Sequence, residues 1–318
     1  MDFALSTCWF GAKTVPGEEI VDKALALGFD GLELGYGLHR ESVPGIFSRM
    51  KAGDIAVESV HSYSPVPEGV EHGHPELYHL ADADEEARKL AVSKMLETLE
   101  FAETFGAKTV VVHAGRVFEI SRAWLWIHER IAEEKDSGWF YRRRYKKMVA
   151  EREKQIGGYL DRLRKSLDEL LPKFEKAGIR IALENLPSWD AFPQPDENEQ
   201  LLREYAASPS FACWHDMGHG QVMENAGFEN HVATARRFLP HIAGIHIHDV
   251  IGPATDHQAP GTGGIDYAPF AFFAKPSIHR VFEPASNVLA EDLQKGLQML
   301  RKVWKIDSGH KLSGRGGE

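Results

Sequence analysis

The sequence predicts an α/β chain of the (β/α)8 TIM-barrel class with a helical insertion after strand four. Three observations carry this. Short apolar, β-branched runs alternate with segments of helical period, the pattern of a parallel sheet. Eight such pairs fit within 318 residues, which suits a closed barrel better than an open sheet. No glycine-rich loop of dinucleotide-binding form follows a strand, which weighs against a doubly wound sheet.

The elements follow in order. "FALSTC" (3–8) is the first strand, and "GEEIVDKALALG" (17–28) a helix stopped by Gly28. "GLEL" (31–34) is the second strand, with a helix near 42–52 after it. "IAVESVH" (55–61) is the third, and the helix 84–105 stops at Gly106. "KTVVVHAG" (108–115) is the fourth strand, "IRIALEN" (179–185) the fifth and "FACWHD" (211–216) the sixth. Helices are expected near 158–177, 196–207 and 228–238. "IAGIHIHD" (242–249) is the seventh strand, followed by a short helix near 267–274, the eighth strand at 277–284 and a last helix at 288–304.

Residues 116–157 break the rhythm, being helical in pattern, charged and rich in Trp and Tyr. They are expected to form an insertion on the barrel's catalytic side. It reads as a solvated hairpin, a lid, or a subunit contact through Trp124, Trp126, Trp139 and Phe140 that would make the chain a homo-oligomer. Arg142, Arg143, Arg144, Lys146 and Lys147 either face water or meet an anionic substrate. One domain is expected over 1–306, with a disordered tail at 307–318.

Composition excludes several classes. Apolar residues make up 43% and charged residues 26%, as in a globular protein. No apolar run approaches the ~20 residues of a spanning helix, and no basic n-region suggests a leader. Cys8 and Cys213 are two and far apart, which argues against a disulfide framework or a cysteine zinc site. A cytoplasmic location is the default. With 37 basic and 47 acidic residues, the net charge of −10 argues against general affinity for nucleic acid or an anionic membrane.

In such a barrel, chemistry sits at the C-terminal ends of the strands. Those ends carry Glu33, His61, His113, Glu184, Asp216 with His219 close behind, His246 with His248, and Glu283. The stretch "GIHIHDVIGPATDHQAPGTGGID" (244–266) adds Asp249, Asp256 and His257. Carboxylates and imidazoles converging at one mouth need a cationic partner. A divalent metal is the simplest, and this donor mixture suits Zn²⁺, Mn²⁺, Co²⁺ or Fe²⁺ rather than Ca²⁺. His248 also reads as an orienter of His246. Trp9, Phe10 and Trp189, near the ends of strands one and five, are expected to wall the substrate.

These residues resemble the xylose-isomerase-like TIM-barrel superfamily, which includes ketose 3-epimerases, hydroxypyruvate isomerase, inosose dehydratase and, more distantly, endonuclease IV. "ALEN", "HDMGH", "GIHIHD" and "VFEP" match the single-metal core. The resemblance implies that Glu184, Asp216, His246 and Glu283 bind one divalent ion, Mn²⁺, Co²⁺, Zn²⁺ or Mg²⁺. It implies that Glu184 and Glu283 also move the substrate proton and that His219 contacts substrate. "DHQAPGTGGID" resembles the family's D-H-x-x-P-G-x-G-x-x-D loop. His61, His113, His219, His257 and an aspartate near Asp256 resemble the further ligands of endonuclease IV, which implies a second-metal or substrate-binding role and room for additional zinc. The activity so implied is isomerisation or epimerisation of a sugar or related hydroxy-carbonyl compound through an enediolate. A sugar or polyol dehydratase on the same site, a phosphodiesterase similar to endonuclease IV, and a metal-binding barrel without catalysis are the alternatives.

Overall fold

The computed structural model describes residues 2–11, 13–117 and 121–306; the tail expected at 307–318 lies outside them. In chain order the elements are β1 (Ala4–Ser6), α1 (Gly17–Leu27), β2 (Gly31–Leu34), α2 (Val43–Lys51), β3 (Ala56–His61), α3 (Glu85–Phe105), β4 (Thr109–Val112), α4 (Ser121–Ala132) and α5 (Gly138–Ala177). Then come β5 (Arg180–Glu184), α6 (Pro195–Glu204), β6 (Phe211–Asp216), α7 (Met217–Asn225), α8 (His231–Phe238), β7 (Ile242–Ile247), β8 (Asp249–Ile251), β9 (Thr255–Gln258), β10 (His279–Phe282) and α9 (Ala290–Trp304). Eight parallel strands close in the order β1-β10-β7-β6-β5-β4-β3-β2, and β8 and β9 pair apart from them. This is the (β/α)8 barrel the alternating pattern predicts. No helix among the described residues is long and apolar enough to cross a membrane.

Two apolar layers hold the barrel. The larger lies between strands and helices and takes in Leu5, Leu32, Leu163, Phe174 and Phe282. The smaller fills the interior with Ala4, Val111, Ala182, Ala212, Ala243, Val281 and one large side chain, Trp214. Small residues on neighbouring strands leave room for that indole. A Cβ at Gly244 would fall on the Trp214 ring, so the glycine is needed for close approach.

Three local features differ from the expectation. The helix expected at 158–177 and the basic part of the insertion are one helix, α5, of 40 residues. That is about 60 Å at 1.5 Å per residue. Gly157 and Gly158 do not break it, since each costs only about 1 kcal/mol and burial of Leu160, Leu163 and Leu167 over the turns that follow offsets this. Helix α7 begins directly at the end of β6. Asp216 caps it, accepting from His219 N at 2.6 Å, so the residue that ends a strand also starts a helix. Finally, the glycine-rich loop after β7 contains the β8–β9 hairpin. Asp249 pins it by accepting from the backbone N–H of Val250, Gly261 and Ile265 at 2.8–3.0 Å. Asp249 is therefore a loop-former, not a group facing the barrel mouth.

Candidate metal centre

The parallel register brings the acidic strand ends level. Asp216 pairs with His246 across β6 and β7, and Glu184 lies beside Trp214 across β5 and β6. Glu283 follows β10 directly. Donor atoms of Glu184, Asp216, His246 and Glu283 lie within 4.8 Å of one another, and all four residues are buried. His246 Nδ1 is the hub, standing 3.0 Å from Glu184 Oε1, 3.1 Å from Glu283 Oε2 and 3.7 Å from Asp216 Oδ2. The Trp214 ring packs edge-on against the His246 ring with centroids 5.0 Å apart.

The tautomers can be read from the hydrogen bonds. His246 Nε2 lies 3.1 Å from both oxygens of Glu33, whose carboxylate also accepts from Ser59 Oγ at 2.7 Å. A proton held on Nε2 by Glu33 leaves the Nδ1 lone pair aimed at three carboxylates. His61 Nδ1 donates to the Ser62 carbonyl at 3.0 Å, so its bare Nε2 faces Glu184 Oε2 at 3.2 Å. His219 Nδ1 donates to the Asn185 carbonyl at 2.9 Å, which leaves its Nε2 free on the side of Asp256, 3.9 Å away. Ring nitrogens facing carboxylates at these distances need a proton or a metal ion between them.

No lysine or arginine supplies it. Glu33, Glu184, Asp216 and Glu283 are at most 3% exposed, and among the described residues their ionic partners are all histidines. Two unit charges 4.8 Å apart repel by about 3 kcal/mol at an effective dielectric near 20. In the metal-free chain, protons take the cation's place. Burial pushes the His246 imidazole down, but Glu283, Glu33 and Glu184 outweigh it and hold its pKa well above the usual range. His113, 3.1 Å from Glu184 Oε2 and 3.5 Å from Glu76 Oε1, is likewise lowered by burial but lifted to about 9 by those carboxylates. Burial raises Glu283, yet His246 and His257 draw it down to about 2. The donor set therefore fits a divalent ion: three carboxylates and one imidazole nitrogen, buried and without a fixed countercharge.

A second group shares Glu184. Its Oε2 faces His61 and His113, whereas its Oε1 faces His246, so one carboxylate spans two donor clusters. A third grouping, of His219, His248 and His257, is weaker on hydrogen-bond grounds. His248 Nδ1 accepts from His257 N at 2.8 Å, so its protonated Nε2 donates to Asp216 Oδ2, also at 2.8 Å. His248 thus orients Asp216, not His246 as expected, and has no lone pair left. His257 lies 3.1 Å from Asp256 Oδ1 through Nδ1 and 3.6 Å from Glu283 Oε2 through Nε2.

Above the clusters opens a cavity of about 360 Å³. Tyr36, His61, His74, Glu76, His113, Arg116, His219, Asp256, His257 and Glu283 contribute to its lining. Trp9, Phe10 and Trp189 do not line it. The Trp9 indole N–H donates to the Val288 carbonyl, with Phe10 packed against its ring, and Trp189 stacks on Phe228. The aromatic residue at the cavity is Tyr36, edge-on to His61.

A family model described as xylose isomerase-like TIM barrel matches residues 21–302. The chain belongs to that family. In sequence, this xylose isomerase-like barrel is 31% identical over 111 residues to "Uncharacterized protein MJ1614" of Methanocaldococcus jannaschii, a match covering 35% of the chain and only 41% of that protein. Among solved structures it resembles a D-tagatose 3-epimerase-like protein (TM-score 0.67, 20% identity, 96% of this chain and 98% of that one). It also resembles the 3-keto-D-glucoside 4-epimerase YcjR from E. coli (0.68, 17%, 95% and 99%). A third is the IOLI protein, described with a binding zinc atom (0.62, 14%, 96% and 98%). At these identities the likeness shows the fold.

Glu33, Glu76, Arg116 and Tyr36 are the residues of this xylose isomerase-like site that sequence reasoning left without a role. Glu33 did carry a signal, an acid ending an apolar strand. Arg116 and Glu76 pair at 2.9 Å across two loops, a contact no local pattern encodes.

Replacing Glu33 with Gln is expected to weaken binding of Mn²⁺ or Zn²⁺ by about 10–100-fold, since the His246 tautomer is no longer fixed. Isothermal titration of the metal-depleted protein reads this, and unchanged affinity would remove Glu33 from that role. A second expectation concerns pH. A histidine whose folded pKa is raised stabilises the fold below its unfolded value, near 6.5, and this is lost as pH rises through the folded value. The metal-free chain should therefore lose thermal stability between about pH 6.5 and about 9, the His113 value. Thermal unfolding in chelator checks it, and a flat profile contradicts it.

Proposed function

We propose that this chain is a divalent-metal-dependent isomerase or epimerase acting on a sugar or related hydroxy-carbonyl compound. The observation that carries the reading is the placement of Glu184 and Glu283. Both carboxylates reach His246 Nδ1, at 3.0 and 3.1 Å, from different strands, and Glu283 lines a cavity large enough for a small polyol. The epimerase neighbours support it at the level of the fold.

Glu184, Asp216, His246 and Glu283 would hold the ion, which when bound supplies Lewis-acid stabilisation of charge developing on a substrate oxygen. The rest falls to the chain. One of Glu184 and Glu283 removes the proton from the carbon beside the carbonyl, and that C–H electron pair moves into the adjoining C–C bond as the carbonyl oxygen gains charge. The other, carrying a proton, returns it to the opposite face as the oxygen's electron pair re-forms the carbonyl, which inverts the centre; return to the neighbouring carbon, with a proton passing from the hydroxyl oxygen to the former carbonyl oxygen, isomerises instead. Such acid–base work contributes about 10²–10⁴-fold. His61, His113 and His219 present nitrogens to substrate hydroxyls, and Tyr36 gives an apolar face. A dehydratase would use the same proton abstraction and then expel a hydroxyl.

One observation favours a second reading, metal-dependent phosphodiester hydrolysis. Glu184 is shared between the buried cluster and His61 with His113, the arrangement a two-ion site would use. Two or more tightly held ions per chain favour hydrolysis, and one favours the isomerase.

Glu283→Gln is expected to slow solvent-deuterium uptake at the carbon beside the carbonyl by about 10²–10⁴-fold across a panel of ketoses, with metal content measured in parallel. Exchange at the wild-type rate in a metal-replete variant would take Glu283 out of the proton path.

A further inference from the structure

The α4–α5 hairpin carries an unusual outer surface. Its inner side is fixed to the barrel. The rings of Trp124 and Tyr145 lie 5.3 and 4.9 Å from that of Phe228, and Arg152 pairs with Glu197 at 2.6 Å. Trp124 is 6% exposed and so is not available to a partner, contrary to the expectation for it. Outward, the picture reverses. Of the six large apolar side chains exposed among the described residues, Leu125, Trp139 and Phe140 lie on this hairpin, at 62, 63 and 80% exposure. That concentration on one feature is what a docking face shows and scattered surface residues do not. Between the helices lies a groove of about 950 Å³ framed by Trp126, Trp139, Phe140 and Met148.

Charge selects the occupant. Arg142, Arg143, Arg144, Lys146 and Lys147 are all exposed, and none forms an ion pair within the described residues. Arg143 and Arg144 instead lie over the faces of Trp139 and Trp126, at 5.1 and 4.4 Å. Five cations in six positions call for an anionic partner. A lipid surface or a polynucleotide would also meet the turn, where exposed Glu133, Glu134 and Asp136 repel it. Of these, only Glu133 is paired, with Arg130 and Lys135. A second copy of the chain resolves both demands. An antiparallel two-fold contact centred on Trp139 and Phe140 sets the acidic turn of one copy against the basic stretch of the other, twice. The geometry points to the α4–α5 hairpin as a self-complementary dimer interface, with Trp139 and Phe140 as its apolar centre.

The test is a charge exchange read by sedimentation velocity. The wild-type chain should self-associate reversibly with a micromolar dissociation constant, and Phe140→Ser should weaken this by about 30-fold or more. One variant carries Arg142→Glu, Arg143→Glu and Arg144→Glu, and the other Glu133→Lys, Glu134→Lys and Asp136→Lys. Each should be monomeric alone, with its thermal unfolding unchanged, and the two mixed should form a heterodimer, because each wrong-sign surface then meets its opposite. A wild-type chain that stays monomeric to about 100 µM at low salt overturns the inference. So does a dimer that survives both sets of changes, or a mixture that fails to associate.

Discussion

Four carboxylates without a lysine or arginine among them are buried at one end of a closed barrel, and the rest of the site is arranged around that constraint. Glu33, Glu184, Asp216 and Glu283 arrive from four different strands, and among the described residues their ionic partners are all histidines. Buried anions left this way cost several kcal/mol each. The fold tolerates them because protons on His246 and His113, or an ion in their place, supply the missing charge. Binding a metal and titrating these histidines are thus the same event seen from two sides.

The barrel makes this convergence possible by geometry alone. Parallel strands end at one mouth, so a polar residue at the last position of each apolar run emerges into the same space. Small interior side chains leave room for Trp214, which seats His246 from below. Around the ligand set lies a layer that fixes direction. Glu33 holds the His246 tautomer, His248 holds Asp216, and the Ser62 and Asn185 carbonyls hold His61 and His219. Each leaves a specific nitrogen or oxygen aimed inward, and together they keep the donors from collapsing onto one another.

The convergence at the mouth was legible in the sequence because it depends on two local patterns, apolar runs of strand length and the polar residue that ends each one. Those patterns bring Glu184, Asp216, His246 and Glu283 to the mouth with other polar residues, and the family resemblance singled these four out. What escaped depends on contacts between distant segments. The direction of His248 is set by the backbone N–H of His257, nine residues on, and not by strand period, because the chain leaves β7 at Ile247. The aromatic wall was misplaced for a similar reason. Trp9 is drawn away by the Val288 carbonyl and Trp189 by Phe228, leaving Tyr36 at the cavity. Helix α5 was divided at two glycines whose local cost is smaller than the burial that follows them.

The central claim is that the buried carboxylates share an ion. Crystals of the metal-depleted protein soaked in Mn²⁺ and measured at the manganese absorption edge test it most directly. The account predicts an anomalous peak about 2.0–2.2 Å from donor atoms of Glu184, Asp216, His246 and Glu283, at ordinary coordination distances for imidazole and carboxylate ligands. Side chains unmoved around an empty centre, or a peak only elsewhere on the molecule, would contradict it.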